Sequence, residues 1–344
     1  MTRKILLISE YGTKPEKIYL DPVPKLAKGL IRLGHDARVL WYADIMAQLS
    51  PVRGRSLTHR FFKQKADRLI VQYARQYQPD AVIMLFARAL NSATVQALRD
   101  ALPKAVFLGW DGDLWPARKP GRIELGCALD IVLATNNGIY LDQYRQAGAR
   151  TCLFMPNLID PDIDRRYQVE ARHRCNILWT GKGNHKSGSG LDDSFRHEVL
   201  SQIVDRSDAK IFGCFDRPAI EGIEYRHAIS GARIGISINA ENSIPLYHSD
   251  RFTHYSAGGT MVLAKRVPES NLLMEDGRHV RYFDSGEECL DLVDWYLKHE
   301  QDRQEIADAG MMHCHHTFNS VKIAGCIMDV IERGSYVAPW GSFS

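Results

Sequence analysis

Absences narrow this sequence before any motif does. No stretch approaches the ~20 consecutive apolar residues that cross a bilayer. The opening Met1-Thr2-Arg3-Lys4 runs straight into Ile5-Leu6-Leu7-Ile8, without an apolar signal segment or a small-residue cleavage site. A cytoplasmic protein is expected, with any membrane association made from its surface. The seven cysteines (Cys127, Cys152, Cys175, Cys214, Cys289, Cys314 and Cys326) are odd in number, scattered, and form no C-x-x-C pair. They read as reduced core residues rather than a disulfide framework. Net charge is only +3, and with no binding motif in view a nucleic-acid partner is disfavoured. Nor is there a full G-x-G-x-x-G: Gly181-Lys182-Gly183-Asn184-His185-Lys186 has lysine where the third glycine belongs, which argues against a dinucleotide dehydrogenase.

What is present is globular. At 344 residues, with 45% apolar and 25% charged side chains, the chain suits two cores better than one. Short β-type runs at 4–9, 37–41, 80–86, 105–110, 130–134 and 151–155 alternate with helical stretches at 24–33, 57–76, 91–101 and 138–147, the pattern of a parallel sheet covered on both faces. After the loop-like Pro156-Asn157-Leu158-Ile159-Asp160-Pro161 the alternation restarts. Strands are expected at 176–180, 210–212, 234–238, 260–263 and 280–283, and helices at 195–205, 250–256, 287–298, 301–313 and 320–333. The expectation is an α/β protein of two Rossmann-like, doubly wound domains, residues 1–160 and 161–330, facing across a cleft into which strand C-terminal ends point. The tail 331–344, with Tyr336-Val337-Ala338-Pro339-Trp340, is expected either to cross back to the N-terminal domain or to fray. Charge divides unevenly: residues 1–160 carry 23 Lys and Arg against 14 Asp and Glu, a balance of +9, leaving −6 for the rest.

Two segments carry a family resemblance. Leu30-Ile31-Arg32-Leu33-Gly34-His35-Asp36-Ala37-Arg38-Val39-Leu40 looks like the first helix-turn-strand of GT-B glycosyltransferases, with Gly34 as a left-handed helix cap. His248-Ser249-Asp250-Arg251-Phe252-Thr253-His254-Tyr255-Ser256-Ala257-Gly258-Gly259-Thr260-Met261-Val262-Leu263 resembles the R-x-F-E-x-x-A-x-G core of the "glycosyl transferases group 1" domain, in its spore-maturation-protein-like branch. Downstream, Glu269 to Gly277, the strand to Phe283, the paired helices and His315-His316-Thr317-Phe318 keep the family order. The resemblance implies the GT-B architecture and a nucleotide-diphosphate-sugar donor, with the donor held in the C-terminal half. The acceptor would be a glycan, a lipid-linked molecule or a protein. It implies no metal and no other cofactor. One departure stands out. Matching on Arg251, Ala257 and Gly259 puts His254 where the family has Glu, and the register one residue earlier puts Thr253 there. An imidazole nitrogen or a hydroxyl can accept the ribose hydrogen bond that this carboxylate would take.

Releasing a sugar from a diphosphate demands that growing negative charge be stabilised, by basic side chains, amides and helix N-termini. Thr180-Gly181-Lys182-Gly183-Asn184-His185-Lys186-Ser187-Gly188 follows an apolar strand. Its glycines let backbone approach a phosphate while Lys182 and Lys186 supply charge, as the family's basic diphosphate ligands do. Arg251 opens the next candidate helix, and a bidentate guanidinium suits a diphosphate. Gly258 and Gly259 end that helix and either admit the donor or simply stop it. In the N-terminal half, Asp111 and Asp113 of Trp110-Asp111-Gly112-Asp113 stand as acceptor base or orienter, or as an ordinary turn. Tyr11-Gly12-Thr13 forms another loop at a strand end, where Gly12 and Thr13 admit close approach. The basic-aromatic stretch Arg53-Gly54-Arg55, Arg60-Phe61-Phe62-Lys63, Lys65 and Arg68 suits an anionic membrane or glycan, or a solvated helix face. His313-Cys314-His315-His316 are adjacent on a helix and cannot converge on one ion. Two rival readings remain open, a nucleotide-sugar epimerase and a catalytically silent sugar- or nucleotide-binding subunit.

Overall fold

The computed structural model describes residues 1–10, 22–50, 55–85, 90–112, 120–183 and 194–344, with 55–60, 120, 182 and 183 described through their backbone alone. Two compact units emerge, Met1–Pro156 with Ser320–Ser344, and Asn157–Asn319.

The first unit runs β1 (Lys4–Ser9), α1 (Pro22–Arg32), β2 (Asp36–Trp41), α2 (Tyr42–Leu49), α3 (Arg55–Tyr77), β3 (Ala81–Leu85), α4 (Ser92–Ala101), β4 (Val106–Asp111), α5 (Pro120–Cys127), β5 (Ile131–Ala134), α6 (Ile139–Gln146) and β6 (Thr151–Phe154). Its strands form one parallel sheet in the order β2-β1-β3-β4-β5-β6. Ile5, Leu6, Leu7 and Ile8 are wholly buried, as is every residue of β3, because helices cover both faces of a parallel sheet and leave no position for a polar side chain. Gly34 holds φ +87° at the end of α1. There the His35 N–H donates to Leu30 O at 3.1 Å, closing the helix with a left-handed cap.

The second unit begins with an extended segment and a 3-10 turn (Ala171–His173). It continues β7 (Cys175–Gly183), α7 (Ser194–Ser201), β8 (Ala209–Cys214), α8 (Gly222–Gly231), β9 (Ala232–Ser237), α9 (Asp250–Ala257), β10 (Met261–Lys265), β11 (Arg281–Phe283), α10 (Gly286–Lys298) and α11 (Glu300–Thr317). The sheet is again parallel, in the order β11-β10-β9-β7-β8. Trp179, Ile211, Ile234, Ile236 and Leu263 pack against Val199 of α7 and Val293 of α10. A buried ion pair, Arg226 to Asp164 at 2.6 Å, fastens the opening segment to α8.

The last helix, α12 (Ser320–Arg333), belongs with the first unit, whereas the sequence reading grouped residues up to 330 with the second. It packs on α1 so closely that a Cβ at Gly29 would stand 2.1 Å from Ser320 O. The tail folds as a hairpin, β12 (Tyr336–Ala338) with β13 (Gly341–Phe343). The Tyr336 hydroxyl donates to Phe154 O at 2.6 Å and accepts from Trp340 Nε1 at 3.1 Å. All seven cysteines are free thiols. Among the described residues no helix is long and apolar enough to cross a membrane.

Candidate functional site

In the second unit β8 lies on one side of β7 and β9 on the other, so connections diverge between β7 and β9. Open α/β sheets offer a ligand crevice at such a reversal, at strand C-terminal ends. Pairing of β7 with β9 stops at Leu178 and Gly235. Beyond that point the Tyr255 side chain fills the fork: the Thr180 N–H donates to its hydroxyl at 2.8 Å, and Thr180 Oγ1 lies 2.8 Å from the same oxygen. Gly235 makes room for the ring, since a Cβ there would stand 2.4 Å from Tyr255 Cδ2. Burial raises the Tyr255 pKa, keeping the phenol neutral.

Arg251 closes the fork. Nη1 donates to Thr180 O at 3.0 Å and Nη2 to Ile238 O at 2.7 Å, so one guanidinium spans the ends of β7 and β9. It lies 4.1 Å over the Trp179 ring. Gly181, at φ +147°, is what admits it: a Cβ there would sit 2.3 Å from Arg251 Nη1. Desolvation pulls the Arg251 pKa down, yet a guanidinium remains protonated in proteins. Among the described residues no carboxylate pairs with it, and its Nε is buried without a partner. Arg196, in the first turn of α7, is buried and lies 5.9 Å over the same indole. Its charge is one of the causes lowering the Arg251 pKa. Burial raises the Cys214 thiol pKa, while Arg196, Arg251 and Arg217 all act to lower it. Mutually repelling cations at a strand edge are relieved by a bound anion.

The start of α9 faces the same edge. Asn239 Oδ1 accepts from the Ser249 N–H at 2.9 Å, and Asn239 Nδ2 donates to Tyr247 O at 3.0 Å, fixing the loop that delivers the helix. Ser249 is the N-cap residue, but its hydroxyl makes no cap hydrogen bond. The positive end of the α9 dipole lies beside Arg251.

Of the residues expected to hold a donor, the structure brings Gly181 and Arg251 together, puts His254 behind the Tyr225 hydroxyl, and sets Gly258 and Gly259 apart. His254 is 2% exposed, and its Nδ1 lies 3.3 Å from the Tyr225 hydroxyl of α8, a hydroxyl that itself borders Thr180 and Arg251. Thr253 Oγ1 donates to Asp250 O within its own helix. Gly258 and Gly259 immediately precede β10, at the N-terminal edge of the sheet and opposite Arg251. A Cβ at Gly258 would meet Ile229 Cγ2 at 2.4 Å, and one at Gly259 would meet Arg166 Nε at 2.3 Å. Both glycines have the placement of a close-packed helix stop. Lys182 is described only as backbone of β7, and Lys186, Gly12, Thr13 and Asp113 lie outside the described residues.

Asp111 ends β4 inside the first unit. Arg122 Nη2 of α5 stands 2.5 Å from its Oδ1, and the Tyr144 hydroxyl of α6 donates to Oδ2 at 3.0 Å. Both oxygens are engaged and the carboxylate is 7% exposed. As placed, it ties two helices to a strand end. The histidines near the end of α11 diverge. His313 Nε2 meets Leu273 O at 2.8 Å, His315 Nε2 meets Asp164 O at 2.8 Å, and Cys314 is buried. Trp179, Arg196 and Tyr255 were not foreseen. The strand at 176–180, the loop after it and Arg251 marked the place, but these partners come from three separate elements.

Residues 196–329 match the profile of a family described as glycosyl transferase-like. The match opens at Arg196 and contains Arg251. No curated protein matches by sequence. Among solved structures, the chain is similar to sucrose-phosphate synthase from Thermosynechococcus elongatus, with 13% identity, a TM-score of 0.63, and coverage of 96% of this chain and 98% of that one. It is also similar to Anabaena HepE in complex with UDP and glucose, with 12% identity, a TM-score of 0.63, and coverage of 96% and 100%. A third likeness is a putative UDP-N-acetylglucosamine 2-epimerase from Listeria monocytogenes, with 13% identity, a TM-score of 0.56, and 97% of each chain covered. At such identities the likeness is one of fold: two Rossmann-like parallel-sheet domains of the GT-B kind.

Proposed function

We propose that the protein is a glycosyltransferase of the hexosyltransferase type. It takes a nucleotide-diphosphate-sugar as co-substrate, without a metal at the transfer site, and passes the sugar to a glycan, lipid-linked or protein acceptor in the cytoplasm. The observation that carries the reading is Arg251: a guanidinium spanning the fork between β7 and β9, stacked on Trp179 beside Arg196, with no carboxylate partner among the described residues. A diphosphate supplies the missing negative charge, and charge on the departing nucleotide grows as the sugar leaves, so the same cations act most strongly in the transition state. The glycosyl transferase-like match over 196–329, and the UDP held by HepE, make uridine diphosphate the first nucleotide to try.

Lys182 and Lys186 are proposed to extend the cationic edge, and Asp113 to serve as the acceptor-side carboxylate, since Asp111 is held by Arg122 and Tyr144. The spore-maturation-protein-like branch is the proposed closer kinship. On α3, Phe61 is 68% exposed and Leu69 40%, with Lys65 and Arg68 exposed beside them, a face suited to an anionic bilayer carrying a lipid-linked acceptor. The likeness to a putative epimerase gives the rival reading its place. The transferase reading is preferred because the matching family is glycosyl transferase-like. Isothermal titration of UDP, GDP and ADP into the protein and into its Arg251→Ala and Arg196→Ala variants tests the proposal. One diphosphate should bind, each variant should weaken it, and binding to none overturns the reading. Product formed from a nucleotide-sugar without acceptor would turn the assignment to epimerase.

A further inference from the structure

A second cluster of ligand-type side chains lies at the other end of β7, where neither the diphosphate reading nor the family match gives it a part. His173 ends the 3-10 turn two residues before β7 begins, at the N-terminal edge of the sheet. Glu224 and His227 stand three apart on α8 and so share one face of that helix. One ligand atom from each of the three lies within 4.8 Å of the others, and His173 Nε2 is 2.8 Å from Glu224 Oε2. The His173 and His227 rings meet edge to face with centroids 5.0 Å apart.

The polar atoms here are not settled by the protein alone. His173 is 6% exposed, and among the described residues the buried Nδ1 of His173 and the buried Nδ1 of His227 have no hydrogen-bond partner. A buried ring nitrogen without a partner is costly unless something occupies its lone pair. The backbone around the cluster is held firmly: Tyr167 N–H donates to Ser230 Oγ at 3.0 Å, and a Cβ at Gly231 would stand 2.4 Å from His173 O. A cavity of about 420 Å³ borders His173 and Glu224, and its lining also carries Arg172, Lys210 and Arg217.

We propose that His173, Glu224 and His227 bind one divalent transition ion of the zinc type. Two imidazoles and a carboxylate suit zinc. Ligands at about 2.0–2.1 Å from a tetrahedral ion stand roughly 3.3 Å apart, so the set has at most about 1.5 Å to close. Arg172, 3.5 Å from Glu224 Oε1 and 62% exposed, swings into solvent as the ion takes its place. The ion ties the turn before β7 to α8. His173 precedes β7 and Gly181 lies near its end, so the site is separate from Arg251.

The test is isothermal titration of Zn2+ into the intact, chelator-treated protein, beside His227→Ala, Glu224→Gln and, as a control, His279→Ala, whose ring stacks on His313. One equivalent should bind the wild type and the control. Affinity should fall at least tenfold in both ligand variants while their circular dichroism without metal matches the wild type. A bound Co2+ should give the visible absorption of a tetrahedral site, lost in His227→Ala. Absence of stoichiometric Zn2+ binding, or binding undiminished by His227→Ala and Glu224→Gln, overturns the proposal.

Discussion

Replacing Gly181 with alanine should unseat Arg251 without removing its charge. The new Cβ would lie 2.3 Å from Arg251 Nη1, with the residue held at φ +147°, a region essentially reserved for glycine. Backbone strain there is about 1–3 kcal/mol. The guanidinium must also leave Thr180 O, a charge-assisted hydrogen bond whose loss is about 1.5–3 kcal/mol. Together these give roughly 2.5–6 kcal/mol of destabilisation, which for a unit of this length lowers the thermal midpoint by roughly 5–24 °C. If the displaced guanidinium is a diphosphate ligand, UDP affinity should fall about 10–100-fold, since 1.4 kcal/mol is a factor of ten. Chemical denaturation and titration calorimetry on Gly181→Ala, Arg251→Met and the double variant complete the cycle. Acting through Arg251, Gly181→Ala should cost only its backbone strain once the guanidinium is gone. Additive losses across the cycle would refute this account of Gly181.

Asp111→Asn should destabilise the first unit by about 3–5 kcal/mol, because Arg122 then keeps a buried charge without a counter-ion; a loss under about 1 kcal/mol in urea unfolding would show the pair to be solvated. Hydrogen bonds from Arg303, followed by Arg233, hold the Glu300 pKa down at about 2. A depressed carboxylate stabilises above its unfolded value of about 4.3 and loses that effect as pH falls toward 2. The stability gap between wild type and Glu300→Gln should therefore narrow across that window, and a gap constant with pH would contradict it. Phe61→Ser combined with Leu69→Ser should reduce co-sedimentation with vesicles rich in anionic lipid, while leaving UDP binding unchanged; equal sedimentation removes α3 from any membrane role.

Legibility in the sequence followed how local the causes were. The run from Ala81 to Leu85 announces a buried parallel strand because each residue alone is apolar and wholly covered, and α12 was readable from Ser320 to Arg333 by its periodicity. Helices α2, α5 and α8 escaped notice. Pro120-Gly121 opens α5 with helix-breaking types, and α8 is a ten-residue stretch from Gly222 to Gly231 whose apolar positions are few. Arg251 stood out through its place at a helix start after a strand. Its seat did not, because Trp179, Gly181, Arg196 and Ile238 come from different parts of the chain. Likewise, nothing in the spacing of 173, 224 and 227 signals convergence, since the turn and α8 meet only once the sheet has formed. The grouping of α12 with the first unit rests on a backbone approach at Gly29 that periodicity cannot report.

That grouping bears on how the polypeptide is made. Sheet β1 to β6 leaves the ribosome long before Ser320, yet the partner that covers α1 and the hairpin that anchors on Phe154 arrive last. Ile159 N–H meets Phe318 O at 2.9 Å, so the segment between them begins and ends at neighbouring points and can complete its own core during synthesis. Vectorial translation thus makes the whole of the second unit before the first unit receives Ser320–Ser344.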